Sequence, residues 1–178
     1  MHKLRNTICY LSGPMEACKD GGVMWRREII KKFEKVGIDI KCIDPTNKPG
    51  GHETMQEEKD FMDKLRREEK WYEMVNYVKA FVRLDLRYLD LSDFIILAVD
   101  KNTHMCGSYH EIVQAQIQKK PRFAIVNGGL KNMPSWLFSI FNPSDVFDNM
   151  DDCVQRIADL DSGKLPLDNH WVLIRNYI

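Results

Sequence analysis

Four short apolar runs divide the chain, at residues 7–11, 38–43, 94–99 and 123–126. Each is rich in β-branched or aromatic residues and is followed or flanked by turn-forming residues, so each predicts a β-strand. The run at residues 94–99 is almost continuously apolar, which is typical of a parallel strand covered on both faces. We therefore expect it to be the central strand.

Helical periodicity fills the intervals between these runs. After Gly22 the apolar positions recur at helical spacing as far as Gly37, which predicts a helix stop. A charge-rich stretch at about 52–80 predicts one or two helices with a solvated face, and the pattern continues to residue 91. Further helices are predicted at 111–119 and at about 150–160.

Strands alternating with helices indicate an α/β fold. We predict a doubly wound, flavodoxin/Rossmann-like parallel sheet of four to five strands flanked by helices. A length of 178 residues fits one domain at 1–178, with a charged helical insertion at about 52–80 and a C-terminal tail at about 162–178.

Composition narrows the expected partners. Lys+Arg 26 against Asp+Glu 26 gives a formal net charge of +0, so we expect a small-molecule ligand and no nucleic-acid partner. Five cysteines without a close CxxC pair suggest a reducing, cytoplasmic location. No apolar run approaches a membrane span, so no membrane partner is expected.

Glu111 is the leading candidate for a catalytic nucleophile. It follows the central strand, and ligands of such sheets bind beyond the carboxyl ends of the strands. We expect it in the first turn of a helix, where unpaired N–H groups favour an ionised carboxylate. Ser108-x-x-Glu111 also fits a capping box, which is the commoner meaning of this pattern.

A second acid, Asp85, precedes the central strand, with Asp90 and Asp93 as alternatives. Without further context Asp85 is an exposed helical acid paired with Arg83 or Arg87. Together with Glu111 it could divide the work of glycosidic chemistry, in which one carboxylate attacks the sugar and the other handles the proton of the leaving group.

Several other chemistries are disfavoured by the motifs. His104-x-Cys106-x-x-x-His110 matches no common zinc spacing, so no metal is expected. The chain has no GxGxxG, GxxxxGK[ST] or GxSxG motif, which disfavours a dinucleotide cofactor, a phosphate-binding loop and a serine hydrolase. We expect no cofactor.

An ordered set of residues resembles the nucleoside 2-deoxyribosyltransferase family, including the related nucleoside 5′-monophosphate N-glycosidases. The set is Tyr10-Leu-Ser-Gly-Pro14, then Asp85, then Ser92-Asp93 before an apolar strand, then Gly107-Ser108-x-x-Glu111, Ala115 and Lys120-Pro121. It covers about residues 7–127.

The resemblance implies a function and a role for each matching residue. Glu111 would attack the anomeric carbon of a nucleoside and form a glycosyl-enzyme, Tyr10 would hold Glu111, and Asp85 would handle the proton of the base. The implied substrate-binding residues are Ser12, Gly13, Pro14, Met15, Asp93, Gly107 and Ser108. The family resemblance also implies a homo-oligomer whose sites a neighbouring subunit completes. Trp171 and Tyr177 of the tail are expected either to contribute to such a site or, equally, to pack onto their own domain.

The chain departs from the family pattern at Thr103-His-Met-Cys-Gly107, where enzymes acting on free nucleosides often carry an acid. The departure favours a nucleoside 5′-monophosphate, since a carboxylate would repel phosphate. Ser12, Ser108 and His104 would then bind the phosphate, with Arg26 or Lys19 supplying positive charge. Two alternatives stay open, a non-catalytic nucleotide sensor and a glycohydrolase of NAD or a cyclic nucleotide.

Overall fold

A computed structural model describes residues 2–15, 18–48 and 55–172 of the chain. Its strands are β1 (Thr7–Ser12), β2 (Ile40–Ile43), β3 (Phe94–Val99), β4 (Arg122–Val126) and β5 (Val146–Phe147). Its helices are α1 (Val23–Lys35), α2 (Met55–Arg67), α3 (Trp71–Leu91), α4 (Cys106–Ile117) and α5 (Met150–Ser162). Three short 3₁₀ turns connect β4 to β5 at Gly129–Asn132, Ser135–Ser139 and Pro143–Asp145.

The five described strands form one parallel sheet in the order β2-β1-β3-β4-β5, which confirms the predicted doubly wound α/β fold. β3 is the central strand, as its apolar sequence predicts. Strand order reverses between β1 and β3, whose pairing runs from Cys9 opposite Phe94 to Ser12 opposite Leu97. A crevice at the carboxyl ends of these two strands is where such sheets bind ligands.

The strict alternation of side chains along the strands builds two cores, one on each face of the sheet. Cys9, Leu11, Phe94 and Ile96 pack on the face covered by α1 and α5. On the opposite face, beneath α3 and α4, lie apolar residues of the same strands together with helix residues: Tyr10, Ile95, Leu97, Leu89, Ile112 and Ala115. Tyr10 thus points toward the helix that carries Glu111.

The predicted charged insertion is the crossover between β2 and β3. It consists of α2 and α3, which pack against each other. The boundary expected at about residue 80 falls inside α3, which runs unbroken to Leu91 and contacts β1 and α4 as well. The same helix therefore belongs partly to the charged surface and partly to the core.

The described part of the tail packs on its own domain. Trp171 lies against Phe94 and Phe123, with ring centroids 5.2 and 6.2 Å away. Of the two expectations for Trp171, the structure shows packing onto its own domain, where the ring lies against the core beside α5. Tyr177 lies outside the described residues.

None of the helices in the described ranges has both the length and the apolar character that crossing a bilayer requires.

Candidate active site

Two hydroxyl groups at the end of β1 converge on one carboxylate. The Tyr10 hydroxyl donates to Glu111 Oε1 at 2.8 Å, and the Ser12 hydroxyl donates to Glu111 Oε2 at 2.5 Å. Tyr10 and Ser12 are two residues apart on a strand, so their side chains leave the same face of the sheet. Each oxygen of Glu111 therefore has its own hydroxyl donor from β1.

Glu111 does not lie where the capping pattern predicts. Helix α4 begins at Cys106 with Met105 as its N-cap, and no side chain caps it. Ser108 is already inside the helix, and the backbone N–H of Tyr109 donates to the Met105 carbonyl. The capping box is therefore wrong, and Glu111 lies in the second turn rather than the first. Its carboxylate is held by strand hydroxyls instead of by helix N–H groups.

Burial raises the pKa of Glu111 above its usual value, because the charged form loses hydration. The Ser12 and Tyr10 hydrogen bonds oppose this effect, and so do the charges of Arg26 and His110. The same environment raises the pKa of Tyr10 well above its usual range, mainly through burial and then through the field of Glu111. Tyr10 therefore stays a hydrogen-bond donor at neutral pH.

Asp85 lies on α3, and it is not the exposed helical acid that local pattern favours. Its side chain is 13% exposed, and its Oδ1 has no hydrogen-bond partner among the described residues. Burial is the main reason that its pKa is raised to about 7, and the charges of Glu111 and Glu58 add to the effect. A carboxyl group with such a pKa can hold or release a proton near neutral pH.

A buried ion pair that the sequence did not predict stands beside Asp85. Lys48 follows β2, and its Nζ lies 2.8 Å from Glu58 Oε1 of α2 and 3.6 Å from Asp85 Oδ1. The Lys48 side chain is 2% exposed and lies over the Phe81 ring, 5.4 Å from its centroid. No local motif signals this pair, since one partner comes from a loop and the other from a charge-rich helix.

The guanidinium of Arg26, which was expected to supply positive charge for a phosphate, is engaged by the backbone. Its guanidinium is completely buried and donates to the backbone carbonyls of Leu11, Gly13 and Gly22 at 3.1, 3.0 and 2.7 Å. It also lies 3.6 Å from Asp44. Its donors are thus engaged in holding the turn after β1 in place.

Close packing requires glycine at Gly13, in that turn, and at Gly22, at the start of α1. A Cβ on Gly13 would approach the Trp25 ring to 2.8 Å and Ala98 to 3.2 Å. A Cβ on Gly22, whose φ is +76°, would approach the Pro14 carbonyl oxygen to 2.2 Å. The turn that follows Ser12 is therefore fixed tightly against α1.

The other predicted binding residues divide into two groups. Pro14 is buried and Met15 is partly buried in the turn after β1, while Gly107 is exposed and Ser108 is buried in the first turns of α4. Asp93, in contrast, lies at the amino end of β3, where its Oδ2 accepts from the Ile8 N–H at 2.7 Å. The structure therefore does not bring Asp93 to the site. Its hydrogen bond links the amino ends of β1 and β3, at the end of the strands opposite to Glu111.

Of the two remaining phosphate candidates, His104 is exposed just before α4 and Lys19 is exposed after the turn. Within the described ranges, no three His, Cys, Asp or Glu side chains are grouped so that they could hold a metal ion. The chemistry available at this edge of the sheet is that of two carboxyl groups and two hydroxyls.

Comparisons with known proteins agree with this architecture. No protein-family model matches the chain, and no curated protein matches it in sequence. Among solved structures, a 2-deoxyribosyltransferase from Leishmania mexicana is similar over 86% of this chain and 97% of its own, with a TM-score of 0.55 and 14% sequence identity. At that identity the similarity shows a shared fold, with a five-stranded parallel sheet flanked by helices.

Proposed function

We propose that the protein cleaves or transfers the N-glycosidic bond of a deoxynucleoside or its 5′-monophosphate through a covalent glycosyl-glutamate intermediate. The proposal rests on the pair of hydroxyl contacts on Glu111 and on a second buried carboxyl group, Asp85, whose pKa is raised to about 7. Two carboxyl groups in distinct environments are what retaining glycosidic chemistry requires. The family resemblance and the fold shared with a deoxyribosyltransferase support the same choice of substrate.

Glu111 is the nucleophile in this proposal. One carboxylate oxygen forms a bond to C1′ of the sugar while the C1′–N bond to the base breaks and its electron pair leaves with the base. Tyr10 and Ser12 hold the plane of the carboxylate, so that an oxygen faces C1′ before the reaction begins. Their hydroxyls also oppose the effect of burial and favour the ionised, nucleophilic form.

Asp85 is the acid. Its protonated carboxyl donates to the base as the base leaves, and the resulting carboxylate can later accept a proton from the incoming acceptor. A pKa of about 7 suits both steps, because neither form is strongly disfavoured at neutral pH. In the second step water or another base attacks C1′ and releases Glu111. Water gives hydrolysis, and a second base gives transfer.

A chromatographic assay tests the proposal. The protein is incubated with a panel of deoxynucleosides, ribonucleosides and their 5′-monophosphates, with and without an acceptor base. We expect free base from at least one deoxy substrate, with loss of activity in Glu111→Ala. Base release without acceptor indicates hydrolysis, and exchange only with acceptor indicates transfer. Preference for monophosphates would decide the substrate form.

The panel also includes NAD and a cyclic nucleotide, and binding of every compound is measured by calorimetry. Binding without turnover across the panel would contradict the proposal and indicate a nucleotide sensor. Cleavage of NAD or of the cyclic nucleotide in preference to deoxynucleosides would contradict the proposed substrate class. A matched control is Glu34→Ala, which removes a glutamate from α1, away from the carboxyl ends of β1 and β3.

A further inference from the structure

The buried ion pair of Lys48 and Glu58 has no role in the steps described above. A buried ammonium loses its hydration, and a partner must compensate for that loss. Glu58 does so with a 2.8 Å contact, and both side chains are nearly removed from solvent, at 2% and 10% exposed. Replacing such a pair by apolar residues is often neutral for stability, so its presence beside a candidate acid needs a further reason.

The second contact of Lys48 provides that reason. Its Nζ lies 3.6 Å from Asp85 Oδ1, which is within the range of strong electrostatic attraction but beyond a good hydrogen bond. Asp85 Oδ1 has no other partner among the described residues. The ammonium therefore attracts the carboxyl without occupying its oxygen with a short hydrogen bond.

We propose that Lys48, held by Glu58, is a positioning residue for Asp85: it orients the Asp85 carboxyl and sets the pH at which that group exchanges its proton. The consequence for catalysis rests on the proposed function, whereas the effect on Asp85 itself does not. Two side chains from the β2–α2 region thus reach into the site from the charge-rich crossover.

Three charged side chains from the surrounding elements have the largest effects on the ionisation of Asp85. Lys48, after β2, favours its ionised form, while Glu58 of α2 and Glu111 of α4 disfavour that form. Tyr10 of β1 also lies within electrostatic range of Asp85 and is neutral at the pH of interest. Lys48 is the cation with the largest effect on Asp85 among the described residues, so removing it is expected to raise the pKa of Asp85.

Removal of Glu58 is expected to change the pKa of Asp85 in the opposite direction to removal of Lys48. In Lys48→Met the positive charge is lost and Glu58 is left unpaired, so Asp85 holds its proton more tightly. In Glu58→Gln the charge of Lys48 is no longer neutralised, so Asp85 releases its proton more easily. Opposite shifts from the two halves of one ion pair are not expected from a general loss of structure.

The test is an NMR titration of the Asp85 carboxyl carbon in the full chain without substrate. We expect Lys48→Met to raise the midpoint by about one pH unit or more, and Glu58→Gln to lower it. Lys48→Arg keeps the charge and is expected to stay close to wild type. Lys32→Met is the matched control, since it removes a lysine from the exposed ion pair with Asp151 and leaves Asp85 unchanged.

If Lys48→Met does not fold, the double variant Lys48→Met/Glu58→Gln removes both charges and leaves no unpaired ion. Its midpoint is also expected above that of wild type, because the charge of Lys48 acts on Asp85 more strongly than the charge of Glu58 does. Midpoints equal to wild type in the folded variants would overturn the proposal. Where the enzyme turns over, the basic limb of its pH–rate profile is expected to move with the midpoint. Absence of turnover would count against the proposed function alone.

Discussion

At the scale of single residues, the site is defined by what each carboxyl group contacts. Glu111 has a hydroxyl on each oxygen, and both hydroxyls come from one face of β1. Asp85 is nearly as enclosed but has an oxygen without a hydrogen bond. The first environment offers hydrogen-bond donors that favour the ionised form, and the second raises the pKa of the carboxyl to about 7. This difference is the basis for assigning a nucleophile and an acid.

Removing one hydroxyl from Glu111 tests the first assignment. Tyr10→Phe keeps the buried ring and deletes the donor to Oε1, so we expect kcat to fall by about 10- to 100-fold, the usual effect of losing a hydrogen bond to a charged group. Because that hydrogen bond lowers the pKa of Glu111, its loss raises this pKa. The acidic limb of the pH–rate profile should then move to higher pH.

Tyr88→Phe is a suitable control, since it removes a hydroxyl from a partly buried tyrosine on α3. An unchanged acidic limb in folded Tyr10→Phe would show that the Tyr10 hydroxyl does not act on the nucleophile.

Asp85→Asn tests the second assignment, because asparagine keeps the shape but cannot donate a carboxyl proton. We expect the rate of base release to fall by at least about 100-fold, the usual contribution of a general acid. In the wild-type protein, activity should decline as pH rises through about 7, where Asp85 loses its proton. Asp90→Asn, at an exposed position on the same helix, is the control.

Asp85→Asn should also weaken the pH dependence of the free energy of unfolding. The folded-state pKa of Asp85 is raised from 3.8 to about 7, so the wild-type protein loses stability as pH rises between these two values. Asparagine cannot ionise, so between pH 5 and pH 8 the variant should lose less stability than wild type, by on the order of 1–3 kcal/mol. Urea unfolding at both pH values measures the difference. An equal loss in both proteins would show that Asp85 is not protonated near neutral pH.

At the scale of elements, apolar periodicity predicted four of the five described strands and all of the helices. β2 starts later than its apolar run, at Ile40, because Gly37 has φ +71° and the chain turns before the strand begins. β5 has only two residues, Val146 and Phe147, and so it is too short to give a periodic signal. The 3₁₀ turns before it are equally short.

The predicted start of α4 was wrong, and this matters for the site because α4 carries Glu111. Ser108 with Glu111 three residues later has the sequence of a capping box, yet the helix begins at Cys106 without a side-chain cap. Met105 is buried and accepts from the Asp100 N–H through its sulfur at 3.4 Å, so tertiary packing fixes the helix start. The alternation of Tyr10 and Ser12 along β1 could have predicted their shared contact with Glu111. The Lys48–Glu58 pair could not, because only tertiary structure brings it to Asp85.

Gly107 gives a prediction about the first turn of α4. It lies four residues before Glu111, on the same face of the helix, and nothing lies within 4 Å of where its Cβ would be. Gly107→Ala should therefore stabilise the fold by about 0.5–1 kcal/mol, as alanine does in helices. It should also lower kcat/KM if substrate lies over this face.

Thermal unfolding and steady-state kinetics measure the two effects of Gly107→Ala. Cys106→Ala, an exposed neighbour on another face, is the control. A more stable protein with unchanged kcat/KM would show that substrate does not approach across Gly107.

At the scale of the whole molecule, the sheet order explains why residues so distant in sequence meet. β1 and β3 are neighbours, and the chain leaves them in opposite directions across the sheet. The turn after β1, helix α4 after β3, and α3 before it therefore bring their side chains to the same end of the sheet. Tyr10, Asp85 and Glu111, which are spread over 102 residues from 10 to 111, contribute to this one edge.

An exposed apolar surface on α3, α4 and the second 3₁₀ turn predicts self-association. Leu91, Val113, Ile117 and Phe138 are exposed apolar side chains on α3, on α4 and on the second 3₁₀ turn. These segments are joined by hydrogen bonds from Gln118 to Asp90 and from Gln116 to the Ser139 carbonyl. An apolar surface shared by adjoining elements is typical of an interface. We expect a homo-oligomer.

Light scattering after gel filtration measures the molar mass of the protein in solution and so its oligomeric state. Ile117→Lys, at a position 67% exposed, should reduce association, whereas Met24→Lys, at a position 73% exposed on α1, should not. A wild-type monomer at micromolar concentration would contradict the prediction.

In the proposed mechanism Glu111 becomes covalently attached to a sugar. The most direct measurement is mass spectrometry of protein quenched in acid within milliseconds of mixing with the substrate that the panel identifies, without acceptor base. We expect a mass increase equal to one deoxyribosyl group, or its 5′-phosphate, on the peptide that contains Glu111, and none in Glu111→Gln. Base release at full rate by Glu111→Gln, or a sugar attached to any other residue, would contradict it.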